Sequence, residues 1–186
     1  MIEVLSLWLP IVLSSVFVFI VSSVIHMALP WHKNDYPQLP MEDKFLDAVR
    51  PLGLPKGDYM VPCPKDMADM RSPEYIEKRN KGPIMVFTVI PGGPVSMTKN
   101  LVGWFFYSIL IGIFTAYVLA RTLVIGDAYF HVFRIASVVS FLAYSFALMQ
   151  MSIWYARSWS TTIKSMIDGV IYAAITAGTF GWLWPH

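Results

Sequence analysis

The histidines of this chain are the side chains that could ligate a haem or a metal, because imidazole nitrogen binds both. They stand at His26, His32, His131 and His186. Ligation requires at least two of them to converge. His26 and His32 fall near one end of the predicted membrane helices and the other two near the opposite end, so we do not expect His26 to meet His131 or His186. Solvation at the membrane interfaces accounts for all four, and His26 remains only a candidate metal ligand.

A second candidate is the stretch "MVPCPKDMADM", whose sulfur atoms suit Cu(I). The ligands would be Met60, Cys63, Met67 and Met70. Their spacing matches no firm copper motif, and methionine commonly fills gaps in protein cores. The single cysteine excludes an intrachain disulfide and any site built from several cysteines. We therefore predict no metal and no cofactor, apart from bound lipid.

Ionisable side chains inside a membrane are costly, which makes them informative. One group near a single membrane face consists of Arg121, Asp127, His131 and Arg134. Asp127 and His131 are four residues apart and can meet on a helix. We predict a paired structural cluster, with a transport or proton path lined by Arg134 as the alternative. No continuous chain of ionisable groups crosses the membrane, which argues against a proton pump or a secondary transporter.

Asp168 begins the last predicted helix, near the opposite membrane face. Lys164 precedes it by four residues, so the two side chains can meet on a helix. We expect Asp168 to pair locally with Lys164. A direct pair between Asp168 and Arg134 is not expected, because they lie near opposite faces.

The sequence contains no phosphate-binding loop, no nucleophile motif and no His-Glu metal signature. Its net charge of +2 comes without a basic stripe, so nucleic acid is not an expected partner. We therefore expect a protein that is not an enzyme.

The composition is that of a membrane protein. Of the 186 residues, 56% are hydrophobic and 14% are charged, against about 25% charged residues in soluble domains. Nine of the twelve acidic residues and ten of the fourteen basic ones lie between Trp31 and Asn100. The chain therefore divides into a membrane helix in residues 1–30, a polar insert in residues 31–100 and three further membrane helices in residues 101–186, packed with the first as one membrane domain.

Four apolar stretches are long enough to cross a bilayer, which takes about 20 residues. They run from Leu5 to Leu29, from Leu101 to Ala120, from about 132 to 154 and from about 163 to 184. The first lacks a basic leader and the usual small-residue cleavage site, so we predict a retained helix rather than a signal peptide. The predicted fold class is an all-α membrane protein with four transmembrane helices and a proline-rich polar insert between the first two.

Short elements are predicted within the insert. One amphipathic helix covers "MEDKFLDAVR" (residues 41–50), and a second begins after the N-cap Ser72 and stops at Gly82. The run "GPIMVFTVIPGG" is too short to span and is predicted to be a strand or a stretch on the membrane surface. Its pairing with "DYMVP" (residues 58–62) into a small antiparallel sheet is an open alternative.

Small residues recur along one side of the last predicted helix. The row comprises Gly169, Ala173, Ala177, Gly178 and Gly181. Such a face lets a neighbouring helix approach closely, and we expect Gly178 to lie at a close helix–helix contact. The sequence leaves open whether that neighbour belongs to this chain or to another protein.

Lysine and arginine near the helix ends predict the orientation in the membrane. The side that holds the insert and the loop at 155–162 carries most of them, whereas the other side offers Arg121 and Arg134. We therefore predict that the polar insert is cytoplasmic and that both termini lie outside.

The stretches "HKNDYPQLPMED", "FRIASVVSFLAYSFALMQMSIW" and "DGVIYAAITAGTFGWLWP" resemble a group of uncharacterised bacterial integral membrane proteins of about this length. The resemblance implies a four-span protein of the bacterial inner membrane. That group has no assigned activity, so the resemblance gives no residue a functional role.

The small-residue row and the missing catalytic motifs predict a structural or accessory membrane subunit. It would contact membrane lipids and either assemble with itself or join a larger membrane complex. Two alternatives remain open. One is a small oligomeric channel or carrier, and the other is a metal- or haem-binding redox subunit that uses His26 or the Met/Cys stretch.

Overall fold

The computed structural model describes residues 2–94 and 96–186. The chain forms two compact units, one made of Met1–Tyr36 with Ser96–His186 and the other of Pro37–Val95. We name them the membrane unit and the insert unit.

The elements follow one another in a mostly helical order. The helices are α1 (Trp8–Ser23), α2 (Glu42–Val49), α3 (Pro73–Lys81), α4 (Thr98–Thr122), α5 (Tyr129–Tyr144), α6 (Met149–Tyr155) and α7 (Trp159–Trp182), and the strands are β1 (Gly57–Val61) and β2 (Met85–Val89). A 3-10 turn (Val4–Leu7) leads into α1, and a π-helical turn (Val24–Ala28) continues it.

Three segments of the membrane unit are long and apolar enough to cross a membrane: Val4–Ala28, Thr98–Thr122 and Tyr129–Tyr155. This agrees with the prediction of a membrane protein. The fourth predicted span corresponds to α7, which has the length but not the apolarity. Eleven of its 24 residues are buried, and α5 and α1 both pack against it. A helix covered by other helices needs less apolar surface than one that faces lipid.

The third predicted span is interrupted near Ser145. Helix α5 ends at Tyr144, a 3-10 turn covers Phe146–Leu148, and α6 then resumes. The Ser145 hydroxyl donates to the carbonyl oxygen of Met166 in α7 at 2.9 Å. The interruption therefore occurs where the chain contacts α7.

The row of small residues on α7 packs against this same chain. A Cβ added at Gly169 would lie 2.7 Å from the Ser145 Cβ, and one at Gly181 would lie 2.8 Å from two ring carbons of Tyr129. Ala173 and Ala177 are buried between these points. At Gly178 the nearest atom would be the Tyr129 hydroxyl at 3.5 Å, which is an ordinary contact. The closest approach therefore lies at Gly169 and Gly181 rather than at Gly178.

The interior of the membrane unit contains many hydroxyl groups. Most bond to a carbonyl of the preceding helical turn, as the Ser15 hydroxyl does to Ile11 at 2.8 Å and the Thr176 hydroxyl to Tyr172 at 2.9 Å. Such bonds satisfy a buried hydroxyl without a partner on another helix. The indole N–H of Trp104 instead reaches across to the Ser22 hydroxyl at 2.9 Å, which ties α4 to α1.

The insert unit confirms the short elements that the sequence predicts. Helix α2 lies within residues 41–50, and α3 starts after Ser72, whose hydroxyl accepts from the Tyr75 backbone N–H at 3.1 Å. Strands β1 and β2 pair antiparallel. The paired residues Tyr59 and Phe87 stack their rings at a centroid distance of 5.6 Å, a cross-strand contact that stabilises the sheet.

Candidate functional site

A reversal of the chain after α1 brings two histidines together. Leu29 is extended, and a 3-10 turn (Pro30–His32) follows it. This turn folds His32 back over His26, and the two imidazole rings stack at a centroid distance of 4.5 Å with 14° between their planes. The end of α1 thus presents two imidazoles side by side.

The His26 ring is oriented by its own helix. Its Nδ1 lies 3.0 Å from the carbonyl oxygen of Ser22, one turn earlier. A carbonyl oxygen only accepts hydrogen bonds, so Nδ1 is the donor and, in the neutral ring, Nε2 carries the lone pair. The side chain is exposed, and Nε2 is the ring nitrogen that this hydrogen bond does not use.

His32 lies between two carboxylates. Its Nδ1 is 2.6 Å from Oδ2 of Asp35 and its Nε2 is 2.7 Å from Oδ2 of Asp168. The other oxygen of Asp35 accepts from the ammonium group of Lys164 at 2.8 Å, and that ammonium also lies over the Trp31 ring at 5.8 Å. The Asp168 and Asp35 side chains are only 5% and 8% exposed, so these contacts are largely shielded from solvent.

The Asp35 carboxyl is ionised at neutral pH. The hydrogen bond from Lys164, followed by that from His32, holds the pKa of Asp35 below its ordinary value of 3.8. Because an ionised carboxylate only accepts hydrogen bonds, Nδ1 of His32 must be the donor to it. The proton on Nδ1 is therefore fixed, and Nε2 is the nitrogen that faces Asp168.

The expected pair between Lys164 and Asp168 is wrong. Lys164 bonds to Asp35 and Asp168 faces His32. Helix α7 begins at Trp159, so Asp168 lies within the helix rather than at its start, roughly 14 Å along it at 1.5 Å per residue. Both acidic groups gain partners from different helices, which lowers the cost of burying them.

His26, His32 and Asp168 have the geometry of a metal-binding group. One ligand atom from each residue lies within 4.8 Å of the other two. The Nδ1–H group of each imidazole donates a hydrogen bond within the protein, to a carbonyl oxygen for His26 and to a carboxylate oxygen for His32. Metal-ligating histidines almost always have such a partner, which fixes the tautomer and the ring orientation. Two imidazoles and one carboxylate form a three-ligand set of the kind found in catalytic zinc sites and in non-haem iron sites.

An apolar cleft of about 520 Å³ adjoins this group. Its lining residues are Ile25, Leu29, Pro30, Trp31, Ile167, Asp168 and Ile171. Asp168 is the one ionisable side chain among these seven. Asp168, whose carboxylate faces His32, therefore also supplies the charged group of the cleft.

The Met/Cys stretch lies in the insert unit and is exposed. Met60, Met67 and Met70 are 41%, 73% and 44% exposed, and Cys63 is exposed as well. The Cys63 thiol lies 3.7 Å from the carbonyl oxygen of Pro64. Across residues 2–94 and 96–186, Cys63 joins no group of metal-ligating His, Asp or Glu side chains.

Two members of the polar cluster near the start of α5, Asp127 and His131, meet. Asp127 accepts from the Val124 backbone N–H at 2.7 Å, and its other oxygen lies 3.2 Å from Nδ1 of His131. The Val124 bond, followed by that from His131, lowers the pKa of Asp127. Arg121 lies over the Tyr117 ring at 5.5 Å. The Arg134 side chain is exposed on α5 and has no ion pair with a described residue.

Sequence reasoning missed His32, Asp35 and Lys164 as site residues and gave Asp168 the wrong partner. One signal was available, because an acidic residue inside an apolar helix demands a partner at the same membrane depth. The sequence predicts that His26, near the end of the first span, and His32, just after it, lie on the same side as Asp168. The geometry is the available guide to function, since no protein-family model, curated protein or solved structure matches this chain.

Proposed function

We propose that this chain is an integral membrane protein that binds a divalent transition metal of the zinc class through His26, His32 and Asp168. We call these residues the metal group. Two observations together support the proposal. Three ligand atoms converge, and the Nδ1–H group of each imidazole already donates a hydrogen bond within the protein.

A small movement would open the group for a metal. Nε2 of His32 and Oδ2 of Asp168 are 2.7 Å apart. Two ligands at about 2.0–2.1 Å from a tetrahedral zinc ion are separated by about 3.3 Å, so the pair must separate by roughly 0.6 Å. The ion would replace the proton shared by these two atoms. Metal binding should therefore release a proton and weaken at low pH.

The surroundings favour a cation. Once the proton shared by His32 and Asp168 has left, Asp35 and Asp168 bring two carboxylates and Lys164 brings one ammonium group, so the site carries a net negative charge. Imidazole ligands suit zinc, iron, nickel and copper, whereas magnesium and calcium prefer oxygen ligands throughout. Three protein ligands also leave a fourth position open, as in catalytic rather than structural zinc sites.

Metal content and zinc affinity of the detergent-solubilised protein test this proposal. We expect one zinc ion per chain, and at least tenfold weaker binding in His26→Gln and Asp168→Asn. His26→Gln is the sharper variant because the His26 side chain is exposed and its loss should leave the fold intact. His131→Gln, another exposed histidine of the membrane unit, is the matched control and should bind as the wild type does. Equal affinity in His26→Gln and the control would contradict the proposal.

A second candidate function is a carrier for the same ion. Buried polar side chains continue from Asp168 along one face of α7, at Tyr172, Thr176 and Thr179. Zinc flux into liposomes distinguishes the two functions. A binding protein shows none, whereas a carrier shows flux that Asp168→Asn abolishes.

The small-residue row gives no support for a partner protein, because its close contacts are with Ser145 and Tyr129 of the same chain. Assembly with itself or with a larger membrane complex therefore stays a prediction from composition. Its test is the particle mass in mild detergent, which would equal one chain plus detergent if no assembly occurs.

For the topology, we propose that α7 is a fourth span, that the insert is cytoplasmic and that both termini lie outside, in a bacterial inner membrane. The exposed Cys63 in the insert unit is the probe. A membrane-impermeant thiol reagent should label it in lysed cells and not in intact cells. Equal labelling of intact and lysed cells would mean that the insert lies outside and that the predicted orientation is wrong.

A further inference from the structure

We propose that the apolar cleft beside Asp168 binds a membrane-dissolved amphipathic molecule with a hydroxyl group, whose oxygen occupies the open position of the metal. This inference rests on the proposed metal group. It assigns the ligand class that would share the site with the ion.

The walls of the cleft are two short apolar rows. Ile25 and Leu29 are four residues apart at the end of the first span, and Ile167 and Ile171 are four residues apart on α7. Ile167 and Ile171 lie on the same side of α7 at this spacing, and both rows line the same cleft. An apolar body is what such walls bury favourably.

The cleft is reachable from outside the membrane unit. Leu29, Ile167 and Ile171 are 50%, 43% and 38% exposed. Large apolar side chains exposed on a membrane unit face lipid, so a ligand can enter laterally from the bilayer. A volume of about 520 Å³ falls within the range of about 300–1,000 Å³ typical of small-molecule sites. A fused aromatic ring or a short acyl segment would fit, whereas a whole phospholipid would not.

The polar end of the cleft selects the functional group of the ligand. Asp168 belongs both to the cleft and to the metal group. A hydroxyl oxygen can bind the ion while its hydrogen is donated to the carboxylate. A ligand carboxylate could bind the ion but would meet the Asp168 carboxylate as a like charge. An ether oxygen has no proton to donate. The chemistry therefore favours an alcohol or a phenol.

The test uses the whole protein loaded with Co²⁺, whose visible absorption reports the coordination of the ion. The probe is 2-naphthol, and the control compound is 2-methoxynaphthalene, which has the same rings without the hydroxyl proton. We expect 2-naphthol to change the cobalt spectrum with saturation, and the ether to act at least tenfold more weakly. Equal effects of the two compounds, or no effect of either, would overturn the inference.

A pair of variants locates the binding. Ile171→Trp places a large ring in the cleft, whereas Ile163→Trp places the same ring on the same helix at an exposed residue that does not line the cleft. Both should bind Co²⁺ as the wild type does. The response to 2-naphthol should weaken at least tenfold in Ile171→Trp alone, and equal responses in the two variants would refute the cleft as the site. A wild-type protein without cobalt bands before any probe is added would refute the metal group as well, which separates the two failures.

Discussion

Replacing Gly169 by alanine is the sharpest test of the packing around α7. The added Cβ would lie 2.7 Å from the Ser145 Cβ and 3.1 Å from the Ser145 Cα, whereas carbon atoms in contact prefer about 3.5–4.0 Å. The backbone at Ser145 must therefore retreat by roughly half an ångström or more. Overpacking of this kind typically costs about 1–3 kcal/mol.

Two further contributions have opposite signs. The retreat stretches the hydrogen bond from Ser145 to the Met166 carbonyl, now 2.9 Å, and its loss adds about 0.5–1.5 kcal/mol of destabilisation. The higher helix propensity of alanine offsets about 1 kcal/mol. The net expectation is a loss of about 1–3 kcal/mol in unfolding free energy.

Thermal unfolding in a mild detergent measures this effect. Gly103→Ala is the matched control, because a Cβ at Gly103 of α4 meets nothing within 4 Å and only the propensity changes. Gly178→Ala should resemble this control, since its nearest contact would be an ordinary 3.5 Å. A melting temperature for Gly169→Ala at or above that of Gly103→Ala would refute the close approach of Ser145 to α7.

Three further predictions concern single side chains and use the same thermal assay. The Tyr172 hydroxyl is buried without a hydrogen-bond partner in the described part of the chain, so Tyr172→Phe should leave stability unchanged or raise it by up to about 1–3 kcal/mol. Tyr107→Phe removes a 2.9 Å hydrogen bond to the Ala143 carbonyl oxygen and should lower stability. If Tyr172→Phe were the more damaging change, the Tyr172 hydroxyl would have a partner. Ser22→Ala should cost about 1–3 kcal/mol because it leaves the Trp104 indole N–H unpaired. The Ser23 hydroxyl bonds only to its own helix, so Ser23→Ala should cost less. Equal losses of stability would argue against the link between α1 and α4. The folded pKa of Asp35 lies below its ordinary 3.8, so the ionised carboxylate stabilises the fold above pH 3.8 and this stabilisation is lost as the pH falls through the lowered pKa. The difference in melting temperature between the wild type and Asp35→Asn should therefore be full at pH 7 and shrink below pH 4. A difference that does not change with pH would count against the contact between Asp35 and Lys164.

The membrane helices and the insert elements could be predicted because their signals are local. Apolar runs of sufficient length identify three candidate spans, and the sequence Ser72-Pro73 identifies the start of α3 through its cap. The interruption at Ser145 has no such signal. The surrounding residues contain neither glycine nor proline, and the contact that accompanies the break comes from α7, more than twenty residues later.

The metal group could not be predicted by helical periodicity. His26 and His32 are six residues apart, and an uninterrupted helix would place them about 120° apart around its axis. The π-helical turn and the 3-10 turn after it bring the rings together instead. Asp168 was recognisable as a costly buried charge, but its partner depends on that turn.

The order in which the chain is made has a consequence for the contacts of Asp168. His32 and Asp168 are 136 residues apart, and Asp35 and Lys164 are 129 apart. At about 5–20 residues per second, the ribosome needs roughly 7 to 27 s between the first half of the site and the second. During that interval His32 already has Asp35 as a partner, whereas Lys164 and Asp168 have not yet been made. The contacts of Asp168 and Lys164 therefore form only after α7 has been made, and the metal site that we propose would be complete only when α7 docks.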